Sequence, residues 1–225
     1  VTNPASNPPL LSALSRHFAD GGFNLKNLVR EILNSHTYQL SAEPNESNRD
    51  DETNFARAIV RRLPAETLLD AQCVAIDAFP EFNGYPEGTR AGQVRGVQRV
   101  RTRDKKAASA DRFLKTFGKP ERLLACECER SNETTLKQAL TLIGDEGLNN
   151  LLAKDGNRLS KLAQSGISAE QSVDEVYWAA LSRAPTLDEL AAGESLVTSA
   201  GSERFAALQD LAWAILNSKE FVFRH

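Results

Sequence analysis

Residues 169–216, AEQSVDEVYWAALSRAPTLDELAAGESLVTSAGSERFAALQDLAWAIL, decide the fold class. Apolar residues recur at helical intervals through three blocks, 169–181, 187–199 and 203–216, and turn chemistry separates them. Thr186 with Glu189 three residues on reads as a capping box that opens the middle helix, and Ser202 reads as the start of the next. Leu136, Leu140, Trp178, Leu181, Trp213 and Leu216 are expected to form one buried cluster, because large apolar side chains on successive helices need a shared interior.

Working outward, helices are also expected at 133–143, 146–153, 158–164 and 111–117, the last stopped by Gly118 and Pro120. Near the start, Leu10, Leu11, Leu14 and Phe18 follow Pro8-Pro9 at helical spacing, Gly21-Gly22 supplies a stop, and Asn24 reads as the N-cap of a second helix carrying Leu25, Leu28, Val29, Ile32 and Leu33. These two should form a helical hairpin. Residues 43–52 (EPNESNRDDE) read as a polar surface loop, and 53–62 as a further helix ended by Leu63-Pro64, where Pro64 opens the next at its first position. Periodicity vanishes from 79 to about 107. The fold class is therefore all-α: a two-lobed helical domain of about ten helices with one long irregular basic loop, divided as 1–78, 79–110 and 111–225 and integrated into one domain.

An internal echo joins LVREILNSHTY (28–38) to LAWAILNSKEF (211–221). Both share Ile-Leu-Asn-Ser with an aromatic three residues after the serine; duplication and shared helix-end chemistry explain this equally well. Under either, Asn34 and Asn217 should end helices, and Tyr38 and Phe221 should be buried. Arg62-Leu63-Pro64 and Arg183-Ala184-Pro185 form a second echo.

Composition excludes several classes. The chain has 225 residues, 41% hydrophobic and 25% charged, which is globular rather than disordered or collagenous. Against 27 Lys and Arg stand 30 Asp and Glu, so the net charge of -3 would not draw the chain to nucleic acid or an anionic membrane. No run approaches the roughly 18 apolar residues of a membrane span. The opening VTNPASNPPL is neither a signal peptide nor a methionine start, so the chain is expected to be a piece of something longer.

Two segments carry the candidate chemistry. Cys126-Glu127-Cys128-Glu129-Arg130 places two thiols and two carboxylates within five residues, a set that could hold a soft metal or a redox pair. Two thiols without a suitably spaced His fall short of the four ligands of a structural zinc, so no metal is expected. The plainer reading makes Cys126 and Cys128 partly buried thiols and Glu127, Glu129 and Arg130 salt-bridge partners. Cys73, beside Leu69 and Ile76, reads as core, though it could pair with Cys126 or Cys128 outside the cytoplasm.

The second segment is basic: Arg95, Arg99, Arg101, Arg103, Lys105 and Lys106 could bind an anion. Without interleaved aromatics it does not support base stacking, and a solvated loop facing residues 43–52 is the plainer reading. His17 and His36 lack a paired Ser, Cys or carboxylate and read as packing or capping residues. No Cys-x-x-Cys-His attaches a haem, and with no Met there is no thioether ligand, so no cofactor is expected in this chain.

Taken in order, NPPLLSALSRHFADGGFNLKNLVREILNSHTYQLS, RRLPAETLLDA, FLKTFGKPERLLACECERSNETTLKQALTLI, LSRAPTLDELAAGESL and AWAILNSKEFVFRH resemble the C-terminal domain of unknown function (family 1553 of such domains) of planctomycete-type, cytochrome-c-linked multidomain proteins. The resemblance covers nearly the whole chain and is most specific at CECERS. It departs at 94–110, which looks longer and more basic here, and at Gly144-Asp145. It implies export to an extracytoplasmic location and a c-type cytochrome domain, on the same or a neighbouring polypeptide, as partner. It brings no reaction and no catalytic residues. The reading is an interaction or scaffolding module; the alternative is an enzyme acting on polysaccharide or another anionic polymer through Glu127 and Glu129, whose chemistry would need two carboxyls across an open cleft.

Overall fold

A computed structural model describes residues 4–51, 54–82, 84–94, 109–119, 135–144 and 146–224. Eleven α-helices and one two-stranded ribbon lie among them. The chain divides into two compact units, residues 1–61 and residues 62–224.

In the first unit, α1 (Pro8–Asp20) starts where the Asn7 side chain accepts the Leu10 amide at 3.1 Å. It stops at Gly21-Gly22, with Gly22 in the left-handed region at φ 67° that glycine adopts without strain. Asn24 accepts from the Asn27 amide and opens α2 (Leu25–Asn34), as its spacing predicts. The two helices pack as a hairpin, with Leu14, Phe18 and Leu28 half-buried. Phe18 and Phe23 meet edge to face at 5.5 Å. Asn34 ends α2 as expected, yet Tyr38 is 60% exposed, contrary to the expectation of burial.

The helix expected at 53–62 is absent among the described residues. Asp51 Oδ1 accepts from both the backbone and the side-chain nitrogen of Asn54, a local turn that competes with helix formation, and Phe55 takes φ 56°. Pro64 further disfavours helical geometry at Leu63. Arg61–Arg62 is instead a short strand, β1, paired with β2 (Phe223–Arg224). Leu63 N–H donates to the Val222 carbonyl at 3.0 Å.

The second unit is built around α3 (Ala65–Ile76), whose Leu68, Cys73 and Ile76 are at most 1% exposed. Pro64 occupies the position before the helix rather than its first turn, and Glu66 sits in that turn where the dipole favours a carboxylate. Against α3 pack α4 (Ser109–Thr116), α6 (Glu146–Leu152), α7 (Arg158–Gln164), α8 (Ala169–Leu181) and a 3-10 turn at Ala91–Gln93. The remaining helices are α5 (Leu136–Gly144), α9 (Leu187–Ser199), α10 (Arg204–Leu216) and α11 (Lys219–Val222). Caps set most boundaries. Asn157, 1% exposed, caps α7 at Ser160 N and donates Nδ2 to the last carbonyls of α6, those of Leu151 and Leu152. The capping box of Thr186 and Glu189 forms as read; Ser202 does not cap α10, which follows the 3-10 turn Gly201–Glu203.

The expected C-terminal cluster forms only in part. Leu216 is buried and Leu181 and Trp213 are half-buried, but Leu136, Leu140 and Trp178 are 76%, 60% and 52% exposed. α8 turns Val173, Val176 and Tyr177 inward, which places Trp178 on its outer side. α5 turns Gln138 inward, where its Nε2 donates to the Thr116 carbonyl at 3.0 Å, so Leu136 and Leu140 face away while Leu142 packs against the core. α9 approaches α8 closely at Gly193: a Cβ there would stand 2.9 Å from Val173 Cγ1.

Candidate functional site

Both candidate segments, Cys126 to Arg130 and Arg95 to Lys106, lie outside the described residues. What is described is the platform from which the basic run departs. The 3-10 turn that ends two residues before Arg95 is held from both sides. Asp70 on α3 accepts from the Ala91 and Gly92 amides at 2.7 and 2.9 Å. Lys119, 4% exposed, donates Nζ to the Ala91 and Val94 carbonyls at 2.8 and 2.7 Å. One carboxylate thus satisfies the donors of the turn and one ammonium its acceptors, both as charge-assisted bonds. Arg90 adds a cation–π contact over Phe79 at 5.9 Å.

Around this clamp two titratable groups, Asp111 and Cys73, are buried, and Arg62 is half-buried. Asp111 on α4 is 5% exposed, and burial raises its pKa while the charge of Lys119 pulls it the other way. Burial pushes the Cys73 thiol up to about 12, with the Asp70 carboxylate adding to the shift, so the free thiol stays protonated at neutral pH and is a poor nucleophile. Arg62 lays its guanidinium 5.1 Å over the Phe117 ring and donates to the Phe117 carbonyl. A carboxyl with a raised pKa beside a lysine is a pattern also found in active sites. Here the described geometry commits the Lys119 ammonium to backbone carbonyls and encloses the carboxyl, which makes it a structural anchor.

The second charged cluster ties three helices together at Arg183, just past the end of α8. Its guanidinium forks onto Glu189 of α9 at 2.8 and 2.9 Å and onto Glu220 of α11 at 2.6 and 2.7 Å, and lies 5.6 Å over the Tyr177 ring. The bond from Arg183, with the Thr186 amide next, holds the Glu189 carboxyl at about 2. Burial raises the pKa of the Tyr177 hydroxyl, with Glu189 adding to the shift. A depressed carboxyl contributes stability that is complete above its ordinary value of 4.5 and is lost as pH falls towards 2. Melting temperatures followed downward from neutral pH should therefore fall more steeply through that window in the native chain than in Glu189→Gln, with the two curves converging at the acid end.

The sequence reading missed Asp70, Asp111, Lys119 and the joint use of Glu189 and Glu220. Only the Thr186 capping box carried a local signal; the others are single charges whose partners lie far along the chain. His17 and His36 are both exposed. Among the described residues no three His, Cys, Asp or Glu side chains gather where they could hold a metal ion, and no helix is long and apolar enough to cross a membrane.

Fold and site together define an all-helical protein in two units, the second of which uses charged side chains to hold a turn and helix ends in place. The chain belongs to the PSD1 family, a protein of unknown function (DUF1553), which it matches over residues 2–197. No curated protein and no solved structure matches it.

Proposed function

We propose that the chain is an extracytoplasmic interaction or scaffolding module of a larger cytochrome-linked protein, with a c-type cytochrome domain of the same or a neighbouring polypeptide as its partner. The observation that carries the interaction reading is the first unit: no described residue of 4–60 is buried, while Leu10, Leu11, Phe23, Leu25, Val29, Tyr38 and Phe55 are each at least 44% exposed. An apolar surface of that extent is the mark of a face that meets another macromolecule. The cytochrome and the compartment rest on the family resemblance alone. Any haem belongs to the partner, since this sequence has no attachment motif.

The test mixes the purified chain with the c-type cytochrome domain encoded on the same or a neighbouring polypeptide and follows haem absorbance through a sizing column. Co-migration of haem with the chain is expected. Haem that elutes at the position of the free cytochrome would remove the cytochrome reading.

A further inference from the structure

The two Ile-Leu-Asn-Ser echoes sit in matching places. Each ends the second helix of a hairpin whose first helix has thirteen residues, α1–α2 in one case and α9–α10 in the other. Each is followed by a serine whose Oγ accepts from the amide of the aromatic three residues on, Ser35 from Tyr38 and Ser218 from Phe221. Superposing the echoes pairs Leu25 with Leu208, Val29 with Ala212, Ile32 with Ile215, Leu33 with Leu216 and Tyr38 with Phe221. The members in α2 and its turn are 64%, 44%, 39%, 43% and 60% exposed; their counterparts are 0%, 2%, 5%, 1% and 5% exposed. One side-chain row is therefore a core face in one hairpin and a bare face in the other. In the second hairpin α6, α7 and α8 lie against α10, so the row is built to take helices.

We infer that the bare row of α2 receives an amphipathic helix with acidic residues along one edge; this rests on the interaction reading above. The edge is set by charge. Lys26 and Arg30 are exposed, one turn apart, and flank the row on the side away from Leu28. Lys26 takes the place of Gln209, whose Nε2 donates to the Leu152 carbonyl at the C-terminal end of α6. A cation in that position suits a carboxylate or the negative end of a helix. The footprint also fits one helix: the five side chains expose on the order of 500 Å², short of the roughly 800 Å² per partner of a standard interface, which argues against a self-paired dimer. The incoming helix lies along α2, as a helix-in-groove ligand.

The probe is a fluorescein-labelled peptide of about 15 residues with leucines at helical spacing and glutamates elsewhere, titrated with the full chain and followed by anisotropy. Saturable binding is expected, weakened about tenfold or more by Ile32→Asp and by Lys26→Glu with Arg30→Glu. The charge-reversed chain should bind the lysine version of the peptide in preference. Because Ile32 is exposed, circular dichroism and melting of the variants should match the native chain. No saturable binding, or equal binding by Ile32→Asp, overturns the inference. So does a dimer of the chain that Ile32→Asp splits, because a second copy would then own the face. Cytochrome association that survives Ile32→Asp together with undiminished peptide binding overturns the inference and leaves the interaction reading standing, whereas peptide binding without cytochrome association removes only the cytochrome.

Discussion

Leu208→Ala should destabilise the protein by about 2–5 kcal/mol, while Leu25→Ala, the same position of the earlier hairpin, should cost less than about 0.5 kcal/mol. Leu208 is 0% exposed on α10, so truncation removes three buried carbon atoms and leaves a cavity that the helices packed on α10 cannot fully close. Leu25 is 64% exposed and leaves no cavity. Urea unfolding followed by far-UV circular dichroism measures both, and a shift in midpoint at unchanged slope isolates the stability term. Comparable losses at the two positions would show that the α2 row is a core face of the chain itself and would remove the ground for an external partner.

Phe113→Ala is expected to be at least as damaging, at about 3–5 kcal/mol. Phe113 is 2% exposed on α4 and stacks on Phe117 with ring centroids 4.3 Å apart at an interplanar angle of 24°. Phe117 in turn carries the Arg62 guanidinium, so deletion of the Phe113 ring removes one of the two groups packed on Phe117 at the end of α4. Phe113→Leu keeps most of the volume and should recover more than half of the loss. The same unfolding experiment reads both variants, and an alanine variant as stable as the leucine one would show that the stack contributes little.

Much of the helical order was legible. The bounds of α7, α8 and α9 follow from the sequence pattern to the residue, because Asn157, Ser168 and Thr186 carry their cap within three residues of the helix start. Such signals are local and survive any tertiary arrangement. The pattern misled where two answers were compatible with it. Residues 53–62 carried apolar spacing of a helix, but the Asn54 turn on Asp51 and the pairing of Arg61–Arg62 with Phe223–Arg224 took the backbone elsewhere. Trp178 and Val173 both lie at helical spacing on α8, and which of their two faces turns inward depended on the helices packed against α8.

The charged clamps on the turn before the basic run and around Arg183 were not legible as pairings. Lys119 and Ala91 are separated by 28 residues, and Arg183 and Glu220 by 37. Charged residues in a sequence with 25% of them have too many equivalent partners for spacing to choose one.

By itself, then, the sequence determined that this protein is all-α, where most of its helices begin, that Asn34 and Asn217 end two of them, and that Cys73 belongs to the core. Each of these rests on interactions between residues a few positions apart or on the hydrophobic period of a single helix. Only the tertiary structure decided which apolar rows are covered. Leu25 and Leu208 occupy equivalent places in equivalent patterns, and burial separates them because it depends on whether another helix lies across the row, a property of packing that no local pattern encodes.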